Sequence, residues 1–265
     1  MKTGDLGVLD RILETKRAEV AALKAARPLA ELRRAAEAAP PGRGFLAALR
    51  DAPGVALIAE IKRRSPSRGD LAPGEAVPQR ARAYQAGGAA ALSVLTDRHY
   101  FGGSLGDLAE ARRAVTLPAL RKDFIIDPAQ IYEAKAAGAD AVLLIAAALE
   151  KAELAELYHL ARSLGLDVLL EVHQAAELEP VLALDPPLVG INNRNLKTMQ
   201  VSLDTSRELR KLIPAPVTVV AESGVSRPEQ VRELRAAGLN AFLVGTSLML
   251  APDPTATLRG LVEAA

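Results

Sequence analysis

From Val55 onward the chain alternates eight times between a short apolar run and a longer stretch with helical spacing, and this repeat limits the fold more than any other feature. The apolar runs are Val55 to Ile61, Ala90 to Thr96, Ala119 to Phe124, Ala139 to Ile145, Asp167 to Val172, Leu188 to Asn192, Val217 to Ala221 and Ala241 to Val244. Their branched and small residues fit strands buried on both faces. Helical stretches follow at Glu75 to Gln85, Leu105 to Ala114, Ala129 to Ala137, Lys151 to Leu164, Ala175 to Leu184, Asp204 to Leu212, Pro228 to Ala237 and Thr255 to Val262. Eight strands alternating with eight helices predict an α/β fold, a closed (β/α)₈ TIM barrel. The punctuation agrees, because Gly87-Gly88, Gly138 and Gly238 each end a helix just before a strand begins. A doubly wound open sheet would need fewer strands and a Gly-x-Gly-x-x-Gly turn after the first, and that turn is missing.

Ahead of the repeat lies a purely helical stretch. Leu6 to Leu23 is amphipathic, Leu29 to Ala38 forms a second helix ended by Pro40-Pro41-Gly42, and Phe45 to Leu49 adds a further turn. No polar linker separates this stretch from the first apolar run. The expectation is one barrel domain over residues 1–265, with residues 1–50 a helical N-terminal extension packed on it.

Composition then removes whole classes of function. The 33 Lys and Arg nearly balance 32 Asp and Glu, which argues against a nucleic-acid partner or an anionic membrane surface. No cysteine is present, so disulfides, thiolate catalysis and cysteine metal sites are excluded. The N-terminal stretch lacks an apolar secretory core and no apolar run is long enough to span a bilayer, so a cytoplasmic location is expected. A monomer is expected, with a dimer left open.

In a barrel of this kind chemistry takes place where the carboxyl ends of the strands meet their loops. Those ends are charged or polar here: Glu60 and Lys62; Ser93, Thr96 and Asp97; Arg121-Lys122-Asp123; Glu171 and His173; Asn192 and Arg194; Glu222-Ser223-Gly224; Gly245-Thr246-Ser247. The opposite ends are mostly apolar. Because side chains alternate along a strand, Lys122 shares a face with Leu120 and Phe124, while Arg121 and Asp123 point toward the helices. If those faces are inward, the mouth gathers Glu60, Lys62, Lys122, Glu171, Asn192 and Arg194, a set suited to an anionic substrate and to proton transfer. The small and glycine-containing turns at Ser223-Gly224 and Gly245-Thr246 follow strands seven and eight, where barrels commonly bind phosphate. Metal chemistry is not favoured: His99, His159 and His173 lie on different elements without ligand spacing. His159 reads as a helix-surface residue, and His173 reads better as the start of a loop than as a group orienting the mouth. Phe124 reads either as the wall of a pocket beside Lys122 or as ordinary core.

The stretches Ile58-Ala59-Glu60-Ile61-Lys62 with Ser65-Pro66-Ser67-Arg68-Gly69, Leu92 to Asp97 with Tyr100-Phe101-Gly102-Gly103, Leu120 to Ile125, Gly190 to Leu196, and Ala221 to Gly224 together resemble the indole-3-glycerol phosphate synthase family. The resemblance runs from the leading helix to the last barrel unit. It implies a cofactor-free, metal-free carboxy-lyase that turns 1-(2-carboxyphenylamino)-1-deoxyribulose 5-phosphate into indole-3-glycerol phosphate, carbon dioxide and water in tryptophan biosynthesis. By that resemblance Lys122 is the general acid, and Glu171 and Lys62 are acid–base partners for dehydration. Glu60 holds both lysines, and Asn192 and Ser223 complete the catalytic set. Arg194 with Asn192 orients the anthranilate part, Ser65 lies near its carboxylate, and Ser93, Phe124 and Leu143 line the pocket. Phosphate is bound by Ser223, Gly224, Gly245 and Thr246 with help from Lys62. Three positions depart from the family pattern, Asn195, Thr246 and Ala129, and none is a proposed proton-transfer group.

Two other barrel activities compete. A sugar-phosphate isomerase of the phosphoribosylanthranilate type would need a cysteine base, which the chain lacks. An aldolase would use Lys62 or Lys122 to form a Schiff base. A non-catalytic barrel serving as an interaction module is opposed by the charged mouth.

Overall fold

The computed structural model describes residues 7–65, 69–71, 76–196 and 198–264. Its centre is a closed, wholly parallel barrel of eight strands: β1 (Ala56–Ile61), β2 (Ala91–Leu95), β3 (Ala119–Lys122), β4 (Ala141–Ile145), β5 (Asp167–Val172), β6 (Leu188–Asn192), β7 (Thr218–Glu222) and β8 (Ala241–Val244). Each strand pairs with its sequence neighbours, and β1 closes the ring on β8 through Ala56 opposite Ala241 and Ala59 opposite Val244. The (β/α)₈ class predicted from the repeat is what the chain adopts.

Alternation along the strands divides the core in two. One set (Leu57, Ala59, Val94, Val142, Leu144, Leu170, Ile191, Ala221 and Phe242 among others) packs against the surrounding helices. The other (Ala56, Ile58, Ala91, Leu120, Ala141, Leu143, Leu169, Leu188, Val220, Ala241 and Leu243) fills the barrel interior. Counting in twos up the interior columns leads to Glu60, Lys122, Glu171, Asn192 and Glu222. These residues therefore sit above an apolar floor.

Among the described residues three helices precede the barrel: α1 (Val8–Ala26), α2 (Leu29–Glu37) and α3 (Phe45–Arg50). α3 plugs the amino end, with Phe45 and Leu49 buried against the interior set. Burying one such side chain contributes about 1.5–3 kcal/mol. The plug is fixed by polar contacts at strand starts: Leu46 N donates to Asp167 Oδ2 at 2.9 Å, and Arg50 Nε to Thr218 Oγ1 at 3.1 Å. α1 instead reaches the carboxyl end. Its Lys16, almost fully buried, places Nζ 2.9 Å from both Asp97 and Asp123 and 2.6 Å from Glu19. Burial opposes the charge on Lys16, but the three carboxylates overcome it and raise its pKa.

The remaining helices are α4 (Val77–Ala86), α5 (Arg98–Phe101), α6 (Leu105–Ala114), α7 (Pro128–Ala136), α8 (Lys151–Ser163), α9 (Leu178–Leu182), α10 (Asp204–Arg210), α11 (Pro228–Ala236), α12 (Thr246–Met249) and α13 (Pro254–Val262). Three local features depart from the sequence reading. The helix expected over Ala175 to Leu184 is a 3₁₀ turn, Ala175–Glu177, followed by the short α9. Pro180 accounts for this, since its ring would collide with the carbonyl of Ala176 in a continuous α-helix. The stretch after Asp97, outside the expected helices, contains α5, which the Asp97 carboxylate caps by accepting from Tyr100 N at 2.7 Å. The basic stretch after Lys62 includes an antiparallel pair of short strands, Arg64–Ser65 with Gly69–Asp70. Pro66 to Arg68 of that stretch, like Leu6 and Glu75 of two expected helices, lie outside the described residues.

Candidate active site

A cavity of 630 Å³ opens at the carboxyl end of the barrel. Thirteen of the fourteen candidate residues line it: Glu60, Lys62, Ser65, Lys122, Phe124, Leu143, Glu171, Asn192, Arg194, Ser223, Gly224, Gly245 and Thr246. Ser93 does not. It is fully buried in β2, level with Glu60 and Leu120, and its Oγ has no hydrogen-bond partner among the described residues. The side chain faces inward, but it lies level with Leu120, one layer below Lys122, and does not reach the cavity.

The charged centre is Lys122, at the end of β3. Its Nζ lies 3.3 Å from Glu171 Oε2 and in closer contact with Glu222 Oε2. Burial works against the ammonium, but Glu222, Glu171 and Glu60 together raise its pKa, so Lys122 stays charged. The two carboxylates beside it titrate as a pair. Burial also works against a charged Glu171, yet Lys122, His173 and Asn192 hold its pKa well below the usual carboxylate range. Glu222 behaves oppositely: burial, with repulsion from ionised Glu171, outweighs the pull of Lys122 and lifts it to about 8. Of the two, Glu222 is the carboxylate whose protonation the site favours.

Lys62 forms a second ion pair, with Nζ 2.7 Å from Glu60 Oε1. Glu60 therefore holds Lys62 directly and acts on Lys122 through its charge, while the direct contacts of Lys122 are with Glu171 and Glu222. Two glycines make these arrangements possible. A Cβ on Gly190 would overlap Glu222 Oε1, and one on Gly245 would overlap Glu60 Oε1 and come within 3.1 Å of Lys62 Nζ. The same geometry sets Lys62 beside the turn after β8.

The cavity has two unlike ends. Phe101 and Phe124, with ring centroids 6.3 Å apart, together with Leu95, Leu143 and Ile145 make an apolar wall. Ser65 borders it with an Oγ that is buried and unpartnered among the described residues. Arg194 is fixed by its own loop: Nη1 donates to Met199 O at 3.0 Å, and its backbone N donates to Asn192 Oδ1 at 3.0 Å. Toward β7 and β8 lie Ser223, Gly224, Gly245, Thr246 and Ser247, the last with another buried, unpartnered hydroxyl. Ser223 takes φ 63°, in the left-handed region rarely used by residues with a Cβ.

Several lining groups lie beyond the sequence expectation. Glu222 stands at a strand end, but the apolar run stops at Ala221 and the resemblance assigns the role to Ser223; parity with Val220 is the signal that finds Glu222. Val8, Leu9 and Ile12 of α1 also border the cavity, with no signal in sequence to say so. His173 is not merely a loop start, for its Nε2 lies 3.2 Å from Glu171 Oε1. His159 is exposed on α8, at its expected place on a helix surface. Among the described residues no group of three or more His, Asp or Glu side chains is arranged to hold a metal ion.

A closed parallel barrel whose acid–base side chains converge on one cavity at the strand ends is the architecture of an enzyme that moves protons on an anionic substrate. Its shape alone is widely shared: thiamine phosphate pyrophosphorylase from Pyrococcus furiosus superposes with a TM-score of 0.60 at 18% identity, over 79% of this chain and 95% of that one. Sequence is more specific. A family model described as indole-3-glycerol phosphate synthase matches residues 9–261. Indole-3-glycerol phosphate synthases from Aromatoleum aromaticum and Azospirillum brasilense are 52% and 50% identical over 261 and 258 residues, each match covering 96% of this chain and 98% of the relative. The chain belongs to the indole-3-glycerol phosphate synthase family.

Proposed function

We propose that this cavity performs the family's ring closure, converting 1-(2-carboxyphenylamino)-1-deoxyribulose 5-phosphate to indole-3-glycerol phosphate with release of carbon dioxide and water. The phosphate end of the substrate fits the turns carrying Ser223, Gly224, Gly245 and Thr246, within reach of Lys62. The anthranilate end fits the apolar wall, with its carboxylate toward Ser65 and its ring oriented by Asn192 and Arg194. This places the ribulose carbonyl beside Lys122. The aromatic carbon bearing the carboxylate attacks the carbonyl carbon while Lys122 donates a proton to the oxygen. The bond to the carboxylate then breaks, carbon dioxide leaves, and its electron pair restores the aromatic ring. Dehydration comes next: the new hydroxyl leaves as water after protonation, and a proton is removed from the neighbouring carbon, with Glu171 and Lys62 as the acid–base partners.

The observation that carries this reading is the position of Lys122, charged and shared by Glu171 and Glu222 between the apolar and phosphate-binding ends. A fixed cation at a developing oxyanion lowers the barrier most where water is excluded. An ammonium held so firmly is a poor imine-forming nucleophile, which argues against the aldolase alternative. The test is turnover of the carboxyphenylamino substrate, followed by indole fluorescence. Lys122→Met is expected to lower kcat by about 10²–10⁴-fold. Wild-type protein without turnover, or a borohydride-trapped adduct on Lys122, would overturn the assignment.

A further inference from the structure

Behind Glu171, away from the cavity, lies a second buried charge cluster that the ring-closure scheme does not use. His173 immediately follows β5 and shares parity with Glu171. Its side chain is 8% exposed and does not line the cavity. Nε2 is 3.2 Å from Glu171 Oε1, and Nδ1 is 3.6 Å from Glu177 Oε2 in the 3₁₀ turn Ala175–Glu177. Each ring nitrogen thus faces a carboxylate, and carboxylates only accept hydrogen bonds. Neither nitrogen makes an aligned hydrogen bond to the described residues, so the link to each carboxylate is one of charge, present with the imidazolium and lost with the neutral ring. The charged form is further favoured because the two carboxylates outweigh the cost of burial and lift the imidazole pKa to about 10.

The arrangement is more than turn chemistry. The turn is already fixed by the backbone, where His173 N donates to Glu177 Oε2 at 2.6 Å. The imidazole adds a cation against one oxygen of Glu171, while Lys122 holds the other at 3.3 Å. The groups facing this line are Glu171 from β5, Glu177 and Gln174 from the turn, Lys122 from β3 and Asn192 from β6.

We propose that His173, backed by Glu177, is a positioning residue: as a permanent buried cation it fixes the Glu171 carboxylate toward Lys122 and sets the pH at which the Glu171–Glu222 pair releases its shared proton. The kinetic part rests on the acid–base role of Glu171 in the proposed ring closure. Removing the cation makes ionised Glu171 less stable, so the pair holds its proton to higher pH. The sign of this shift separates a tuning role from a merely structural one.

The test uses the full chain with His173→Gln and Glu177→Gln. Nitrogen-15 NMR of the imidazoles, with His173 assigned by its loss in the first variant, is expected to show both nitrogens protonated at pH 8, and a lower titration point in Glu177→Gln. A neutral His173 at pH 8 would overturn the proposal. In the pH profile of kcat, His173→Gln is expected to lower the maximum by roughly 10- to 100-fold with KM within about threefold. Its alkaline limb should move up by about one pH unit. A uniform fall with an unmoved limb would refute the tuning role. If Glu171→Gln is inactive, that failure belongs to His173 alone; if Glu171→Gln turns over at the wild-type rate, the role of Glu171 falls and the kinetic proposal falls with it.

Discussion

Gly190→Ala adds one methyl group at the middle of β6, yet it should damage both stability and turnover. The new Cβ would overlap Glu222 Oε1 and lie 3.2 Å from Leu169 Cδ1 and 3.4 Å from Glu222 Cδ. Leu169 is fully buried in the barrel floor and cannot retreat. Glu222 must therefore swing, and its other oxygen is the one that holds Lys122. Overpacking of this kind costs about 1–3 kcal/mol. Displacing a catalytic group by about 1 Å can cost 10²-fold in rate. Urea denaturation should thus show a lowered midpoint with unchanged slope, and indole fluorescence should show kcat reduced by about 10²-fold. Gly260→Ala is the control: it lies exposed in α13 with nothing within 4 Å of the added carbon. A glycine in a helix interior is about 1 kcal/mol worse than alanine, so this variant should be slightly more stable and fully active. Gly190→Ala with wild-type turnover would refute the claim that contact between Glu222 and Lys122 matters to the chemistry.

Two further outcomes arise from the buried charges. Lys16→Met leaves Asp97 and Asp123 without their shared cation, and breaking a buried pair typically costs about 3–5 kcal/mol, readable as a lower urea midpoint; an unchanged midpoint would show that Arg121 alone suffices for these carboxylates. Stability should also fall as pH rises through the alkaline range. Glu222, raised from 4.5 to about 8, and His173, raised from 6.5 to about 10, both bind a proton more tightly in the folded chain. Each contribution is complete below the unfolded pKa and is lost as pH climbs through the folded one, with a slope of at most about 1.4 kcal/mol per pH unit per group. Glu222→Gln should flatten the decline between pH 4.5 and 8, and His173→Gln that between 6.5 and 10; denaturation midpoints that stay constant from pH 6 to 9 in the wild type would contradict both assignments.

The barrel is legible in the sequence because its signal is repeated: eight apolar runs, each closed by a turn, leave few other ways to bury that much branched surface. Most of the site is legible for a related reason. A charged residue two positions beyond an interior apolar residue has to emerge at the rim, which is why Lys122 after Leu120 and Glu60 after Ile58 can be placed from sequence. The same rule, carried one residue past the apolar end of β7, places Glu222 after Val220. It does not extend to Ser223, where the left-handed backbone breaks the alternation and the residue still lines the cavity.

What the sequence withholds is position along and across the barrel. Parity puts Ser93 inside but says nothing of its depth, which is set by strand stagger once the ring is closed. Helical periodicity shows that α1 has a face to bury, not that it lies over the mouth with Ile12 in the cavity wall. Lys16 is the sharpest case. A lysine in an amphipathic helix reads as solvated, and its burial depends on Asp97 and Asp123, two outward-facing acids on different barrel units. Asp123 is also the residue directly after Lys122, and its pKa is held to about 2 because Arg121 and Lys16 overcome the effect of burial. One residue of the chain thus faces the cavity and the next faces α1, so the helix that covers the mouth and the lysine at its centre are fixed by the same short segment of backbone.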